Sequence, residues 1–298
     1  MSHCKLDPTS PLFLLDQFSI KDLDQWEEQK EKILRYHWDL YSALAYERKK
    51  ISDQLHLALL EAAYKPYEFE GWQRQVRYKY ALTPLSPKGS LFEPGGRFNI
   101  PQMNLEQIPS FPALYIAEDK ETVLQEAGQH LDSKIPKGLS ALDLSLIRKD
   151  SISIVSVHGQ LQSIIDLGKL KRLKPFLDLI KNFSIPKNVL QTAKKLGIKP
   201  PGVVKNLKVL GEQLLEPNWR SACMQLDVPA NCQIFGQLVS SAGIEGILYP
   251  SKFTRKNCLA IYPQNFDLGS FIAVKGDAPE SAVVRLDAEN WKSLQATF

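Results

Sequence analysis

The chain has 298 residues, enough for one elaborated domain or two around a sizeable apolar core. Its 44% hydrophobic and 23% charged residues are those of an ordinary soluble protein, and a formal net charge of +4 is too mild to require a nucleic-acid partner by itself. No stretch approaches a membrane span and the apolar run from Pro11 to Leu15 is too short for a signal-peptide core, so the expected compartment is the cytoplasm.

Residues 19 to 65 read as helical. Ser19 and Asp22 stand at a capping-box spacing, Ile33, Leu34, Trp38, Tyr41, Leu44 and Ala45 recur at helical intervals, and Ile51, Leu55 and Leu59 form a second apolar row. The pattern predicts a helical hairpin or one long helix packed against the downstream part of the chain. Pro66 and Gly71 mark its end, after which Val76, Tyr78 and Tyr80 alternate as in a strand. A loop from Thr83 to Pro94 leads into Gly95-Gly96-Arg97-Phe98-Asn99. Ala113 to Ala117 reads as a short strand, and Asp119 is placed to cap a helix carrying Glu126.

Two further strands are predicted at Leu142 to Ile147 and Ile152 to Val157. From Gly159 to Pro217 the chain turns basic, with Lys171, Arg172, Lys174, Lys194 and Lys195 among its cations and helical patterns broken at Pro175, Pro186 and Pro200-Pro201. Such a segment reads as a solvated cover over one edge of the sheet, or as a docking surface for an acidic partner or nucleic acid. The helix expected from Pro229 to Ala242 has proline at its start and Gly243 past its end. Strands come next at Gly246 to Tyr249 and Cys258 to Tyr262, separated by a turn from Ser251 to Asn257, and Phe271 to Val274 with Val283 to Leu286 suggest a last hairpin. Short strands scattered among helices, without regular βαβ alternation, indicate an α+β fold.

Several residues in this framework could carry chemistry. Arg97 comes after two glycines that permit close backbone approach, and its planar fork suits a diphosphate. Tyr115 faces away from Leu114 and Ile116 on its strand. Glu126 sits at the flank of a helical stripe formed by Val123, Leu124, Ala127 and Leu131. Ser251 opens a turn with no histidine or acid in the local sequence to activate it as a nucleophile, and Asn257 closes that turn. The four cysteines, Cys4, Cys223, Cys232 and Cys258, have neither zinc-site spacing nor disulfide density and read as small buried hydrophobes. His130 and His158 show no metal-ligand spacing, and the chain has neither a P-loop nor a strand-linked GxGxxG.

Taken together, Gly95 to Asn99, the Ala113-Leu114-Tyr115-Ile116-Ala117 strand, the helix with Glu126, Ser241 to Ser251 and Asn257 to Tyr262 resemble the RES domain family over roughly residues 72 to 266. The resemblance implies an ADP-ribosyltransferase-like split sheet flanked by helices. It also implies NAD as substrate, cleavage of the nicotinamide–ribose bond with water or inorganic phosphate as acceptor, and no metal. In that reading Arg97 holds phosphate, Tyr115 positions a ring, Glu126 engages the ribose and Ser251 fixes the nicotinamide end, with Asn99, Asn257 and either Arg77 or Arg74 as further cofactor contacts. The family's members act commonly as toxins restrained by a partner antitoxin with an Xre-like domain, and an effector or a homo-oligomer is compatible. This chain departs from a compact member by a helical extension at residues 1–71, ahead of a catalytic domain at 72–298, and by the basic insert at about 159–217. Two alternatives remain open: transfer of ADP-ribose to a macromolecule, and a catalytically silent binding module.

Overall fold

The computed structural model describes residues 20–64, 66–104, 107–126 and 152–296. The readings placed on Cys4, Pro11 to Leu15, Ser19, Ala127, His130, Leu131 and Leu142 to Ile147 lie outside the described residues. The fold is α+β, as expected. In chain order it has helices α1 (Ile20–Lys50) and α2 (Ser52–Ala62), strands β1 (Tyr67–Arg77) and β2 (Leu114–Ala117), helix α3 (Lys120–Glu126), and strands β3 (Ile152–Leu161) and β4 (Ile164–Asp166). Helices α4 (Lys174–Ile180), α5 (Lys187–Lys195), α6 (Leu207–Leu214), α7 (Arg220–Leu226) and α8 (Asn231–Ser241) precede β5 (Gly246–Pro250), β6 (Asn257–Ile261), β7 (Phe271–Lys275), β8 (Arg285–Asp287) and α9 (Trp291–Ala296). None of the described helices is long and apolar enough to cross a membrane.

The eight strands run in the order β4-β5-β6-β2-β1-β3-β7-β8, antiparallel throughout except for the β4–β5 pair. β1 and β3 are registered along most of their length, whereas β1 and β2 share the single registered pair Gln73 and Ala117. The sheet therefore splits at that junction into two four-stranded halves. The Arg74 guanidinium bridges the split by donating to the Tyr115 carbonyl at 3.0 Å.

Strand alternation sorts the core into two layers. Ala113, Ala117, Ile247, Tyr249, Cys258 and Ala260 face a layer of helices, while Leu114, Ile116, Leu248, Leu259 and Ile261 face the other side with Phe69, Trp72, Leu85 and Phe266. Tyr115 packs on the helical side, opposite Leu114 and Ile116, as its strand position predicts.

The helical extension and the basic segment both belong to this core. Ile51 interrupts the predicted helical run, and α2 then buries Leu55, Ala58, Leu59 and Ala62 in the main core; α1 closes over Val189 and Ala193 of α5 through Tyr36. The segment from Gly159 to Pro217 is not a solvated cover. Its first residues complete β3 and form edge strand β4, and its Leu167, Leu173, Phe176, Leu177, Leu210 and Leu214 are buried with α2 and α8. The difference from the sequence pattern has a simple cause: lysines dominate the outward faces of these short helices and hide the apolar positions that recur inward. Arg172 stacks 4.0 Å from the centre of the Tyr64 ring and donates to the Ala63 carbonyl, so this cation anchors the end of α2.

Gly71 does not break the chain as its sequence context predicts. It lies within β1 at a φ of +71°, where the register against β3 slips between Phe69 and Trp72, a bulge for which glycine is suited. Tyr78 and Tyr80, expected in a strand, form a single 3-10 turn after β1.

Glu245 locks the sheet from within. Its buried carboxylate accepts from the backbone N–H of Gln162 at 2.6 Å, from that of Asp267 at 2.8 Å and from the Ser270 hydroxyl at 2.7 Å, tying the β3–β4 and β6–β7 connections to β5. Glu245→Ala strands those donors without an acceptor and should cost roughly 3 kcal/mol of stability in urea unfolding. A loss below about 1 kcal/mol would show that the three donors find water instead.

Candidate active site

A cavity of about 640 Å³ opens at the split in the sheet. Its walls come from β1 (Arg74 to Arg77), β2 (Tyr115 to Ala117), the loop leading to Arg97, Glu126 at the end of α3, and Trp219 and Arg220 at the start of α7. That volume is within the range of small-molecule sites.

The arginine loop is built around Tyr115. Gly95 adopts a φ of +74°, and a Cβ at Gly96 would lie 2.2 Å from Tyr115 Cζ, so the Tyr115 ring requires glycine above it. The phenol donates to Asn99 Oδ1 at 2.9 Å and accepts from the Phe98 N–H at 2.9 Å; Asn99 Oδ1 also accepts from the Gly96 N–H. Asn99 Nδ2 donates to the Ser90 and Phe111 carbonyls. From α8, the buried Gln233 amide donates to the carbonyls of Pro94, Gly96 and Asn99. Asn99 is fully buried, outside the cavity wall, with its polar atoms committed to this network as a staple of the loop. Burial pushes the Tyr115 phenol far above its ordinary range and keeps it neutral.

Arg97 leaves this braced loop with its guanidinium donating to the Glu216 carbonyl at 2.9 Å and lying 5.9 Å from the Trp219 ring centre. Arg220 stacks on the same indole at 4.7 Å. Sequence reasoning missed Trp219 and Arg220, along with Gln233 and Tyr249. The adjacent Trp-Arg pair after Pro217 is a signal, but it falls just past the border of the basic segment, between predicted elements.

Glu126 lines the other end of the cavity, and Ser251, 125 residues away in sequence, meets it from behind the wall: the Ser251 hydroxyl donates to Glu126 Oε1 at 2.7 Å. That hydroxyl also accepts from the Phe253 N–H at 3.2 Å and faces the Thr254 N–H at 3.5 Å, while Ser251 itself is fully buried. Ser251 is absent from the cavity wall and its lone pairs are turned to backbone donors, so it reaches the cavity only through the Glu126 carboxylate that it orients. Asn257 is not part of the cavity wall. Its amide donates to Glu118 Oε1 at 2.6 Å and its N–H to Glu118 Oε2 at 3.1 Å, pinning the start of β6 to the end of β2.

Both candidate arginines of β1 line the cavity, in different states. Arg74 is buried and spends three donors on the carbonyls of Pro84, Tyr115 and Ser86, with burial lowering its pKa to about 10. Arg77 is exposed at the end of the strand.

Charge along the wall is one-sided. Arg74, Arg77, Lys79, Lys88, Arg97 and Arg220 face it against the carboxylates of Glu93 and Glu126. Cys258 also lines the cavity, but burial, and then Glu126, push its thiol upward, so it stays protonated. Burial likewise raises Cys232 to about 12. Among the described residues no cluster of three or more His, Cys, Asp or Glu side chains is arranged to hold a metal ion.

No protein-family model matches the chain, and no curated protein matches it. Among solved structures, the crystal structure of the M. tuberculosis MbcT–MbcA toxin–antitoxin complex aligns with 82% of this chain and 98% of its own, at 15% identity and a TM-score of 0.41.

Proposed function

We propose that the protein binds NAD in the cavity at the sheet split and cleaves its nicotinamide–ribose bond, passing ADP-ribose to water or inorganic phosphate. The observation that carries this reading is one cavity walled by Arg97, Arg220 and a carboxylate, Glu126, whose Oε1 is fixed by Ser251. The order of Arg97, Glu126 and Ser251 along the chain resembles the RES family, and the excess of cations on the wall suits a diphosphate.

The chemistry asked of these residues is modest. As the C–N glycosidic bond breaks, its electron pair moves to the nicotinamide ring nitrogen, neutralising that ring and leaving positive charge on the ribose. Glu126 is the group able to stabilise that charge, because the Ser251 hydrogen bond fixes it in advance. An oxygen of water or phosphate then forms the new bond to the anomeric carbon and loses its proton to Glu126 or solvent. Arg97 and Arg220 hold the diphosphate; Tyr115 acts as a positioning residue for the arginine loop, since its hydroxyl is spent on Asn99 and Phe98.

The test is to incubate the purified chain with NAD, with and without inorganic phosphate, and to measure nicotinamide release while identifying the ADP-ribose product. Arg97→Lys keeps the charge but cannot make two parallel bonds to phosphate oxygens, and should raise the dissociation constant for NAD about tenfold. It should leave the affinity for free nicotinamide riboside unchanged. Transfer of the label to protein or nucleic acid would favour the macromolecular transferase, and no NAD loss would favour a silent module. A toxin role and an Xre-like antitoxin partner rest on the same family resemblance; a stable complex on co-expression with such a partner, together with suppressed NAD loss, is the corresponding check.

A further inference from the structure

Of the six cations lining the cavity, Arg74 is spent on backbone carbonyls and Lys88 lies in the turn Lys88–Leu91; the other four form two groups at different places. One is Arg97 with Arg220, joined through Trp219 on the α7 side. The other is Arg77 and Lys79, at the end of β1 and in the 3-10 turn after it. Strand direction separates this second group from the reacting end. β1 runs antiparallel to β2 with Gln73 opposite Ala117, so Arg77 lies toward Ala113, whereas Ser251 and Glu126 gather beyond Ala117. Four strand steps carry Arg77 about 13 Å along β1 from Gln73, the residue registered with Ala117, the scale of an extended dinucleotide and not of a single phosphate group.

Among the described residues neither Arg77 nor Lys79 is within ion-pair distance of a carboxylate. Lys79 stacks 4.7 Å from the centre of the Tyr80 ring, which also lines the cavity and gives an adenine or ribose an aromatic neighbour. A diphosphate is served by Arg97 and Arg220 alone, so a second positive group at the far pole calls for a further anion there.

We infer that the substrate class of this site is the nicotinamide dinucleotide bearing an additional phosphate on its adenosine ribose, NADP, and that Arg77 and Lys79 select it over NAD. The inference rests on the proposed nicotinamide–ribose cleavage. A ribose phosphate monoester carries about −1.5 to −2 charge near neutral pH, so two cations at a partly open site give discrimination that salt weakens.

The experiment is to measure dissociation constants for NADP and NAD on the full chain by calorimetry at two salt concentrations, alongside nicotinamide release from each. NADP should bind about tenfold more tightly at low salt, with the gap narrowing as salt rises. Arg77→Gln with Lys79→Gln, both on exposed positions, should weaken NADP binding at least several-fold more than NAD binding. Equal affinity for the two dinucleotides in the parent, or a preference for NADP that survives in the double variant, overturns the inference while leaving NAD cleavage standing. Binding of neither dinucleotide overturns both.

Discussion

Glu126→Gln should lower NAD turnover by roughly 10²-fold or more while changing NAD affinity by less than about threefold. The asymmetry comes from where the carboxylate is held. Its Oε1 accepts the Ser251 hydroxyl at 2.7 Å, and an amide oxygen can accept the same hydrogen bond, so the variant keeps its shape and its contact. What disappears is the negative charge, which matters only as positive charge develops on the ribose. A stopped assay of nicotinamide release, with a binding titration on the same preparation, separates the two effects. Near-normal turnover would remove Glu126 from the chemistry, and a parallel loss of affinity would make it a ground-state binding residue instead.

How much of the fold and the site is legible in the sequence depends on whether a residue's role is local. The strand at residues 114–117, the side on which Tyr115 points, and the β5 and β6 strands are set by alternation, which needs only neighbours in sequence. The α8 helix is marked by Pro229 and Gly243 in the same way. Glu126 and Ser251 each stand out separately, but their contact is a product of tertiary folding across 125 positions and no spacing rule reveals it. The partners of Asn99 and Asn257 are hidden from the sequence for a related reason. A polar amide beside a glycine pair or in a turn looks available for a ligand, whereas one staples the arginine loop and the other grips Glu118. Gln233 is invisible because a glutamine inside an amphipathic helix carries no sequence mark, yet its buried amide braces three carbonyls of the loop. The basic segment hides its core residues behind lysines.

Gly96→Ala should be the most disruptive small substitution in the site. The added methyl would fall 2.2 Å from Tyr115 Cζ and 2.3 Å from its hydroxyl oxygen, and this ring is not free to move aside. Asn99 and the Phe98 N–H hold its phenol, Asn99 is itself held by Ser90 and Phe111, and Gln233 fixes the loop from the opposite side. Relief must therefore come from lifting the loop, which carries Arg97 off its contact with the Glu216 carbonyl. The expected cost is about 1–3 kcal/mol in urea unfolding, as for other overpacked sites, with at least tenfold weaker NAD binding. Gly89→Ala is the matched control, since a Cβ there meets nothing within 4 Å, and it should leave stability within about 0.5 kcal/mol of the parent. If the strain is the contact with the ring, Gly96→Ala combined with Tyr115→Ala should be less destabilised than the sum of the two single variants, because the second change removes the atoms that the first one strikes. Additive losses, or a Gly96→Ala variant as stable as the Gly89 control, would mean that the loop is not seated on Tyr115, and the placement of Arg97 would lose its structural basis.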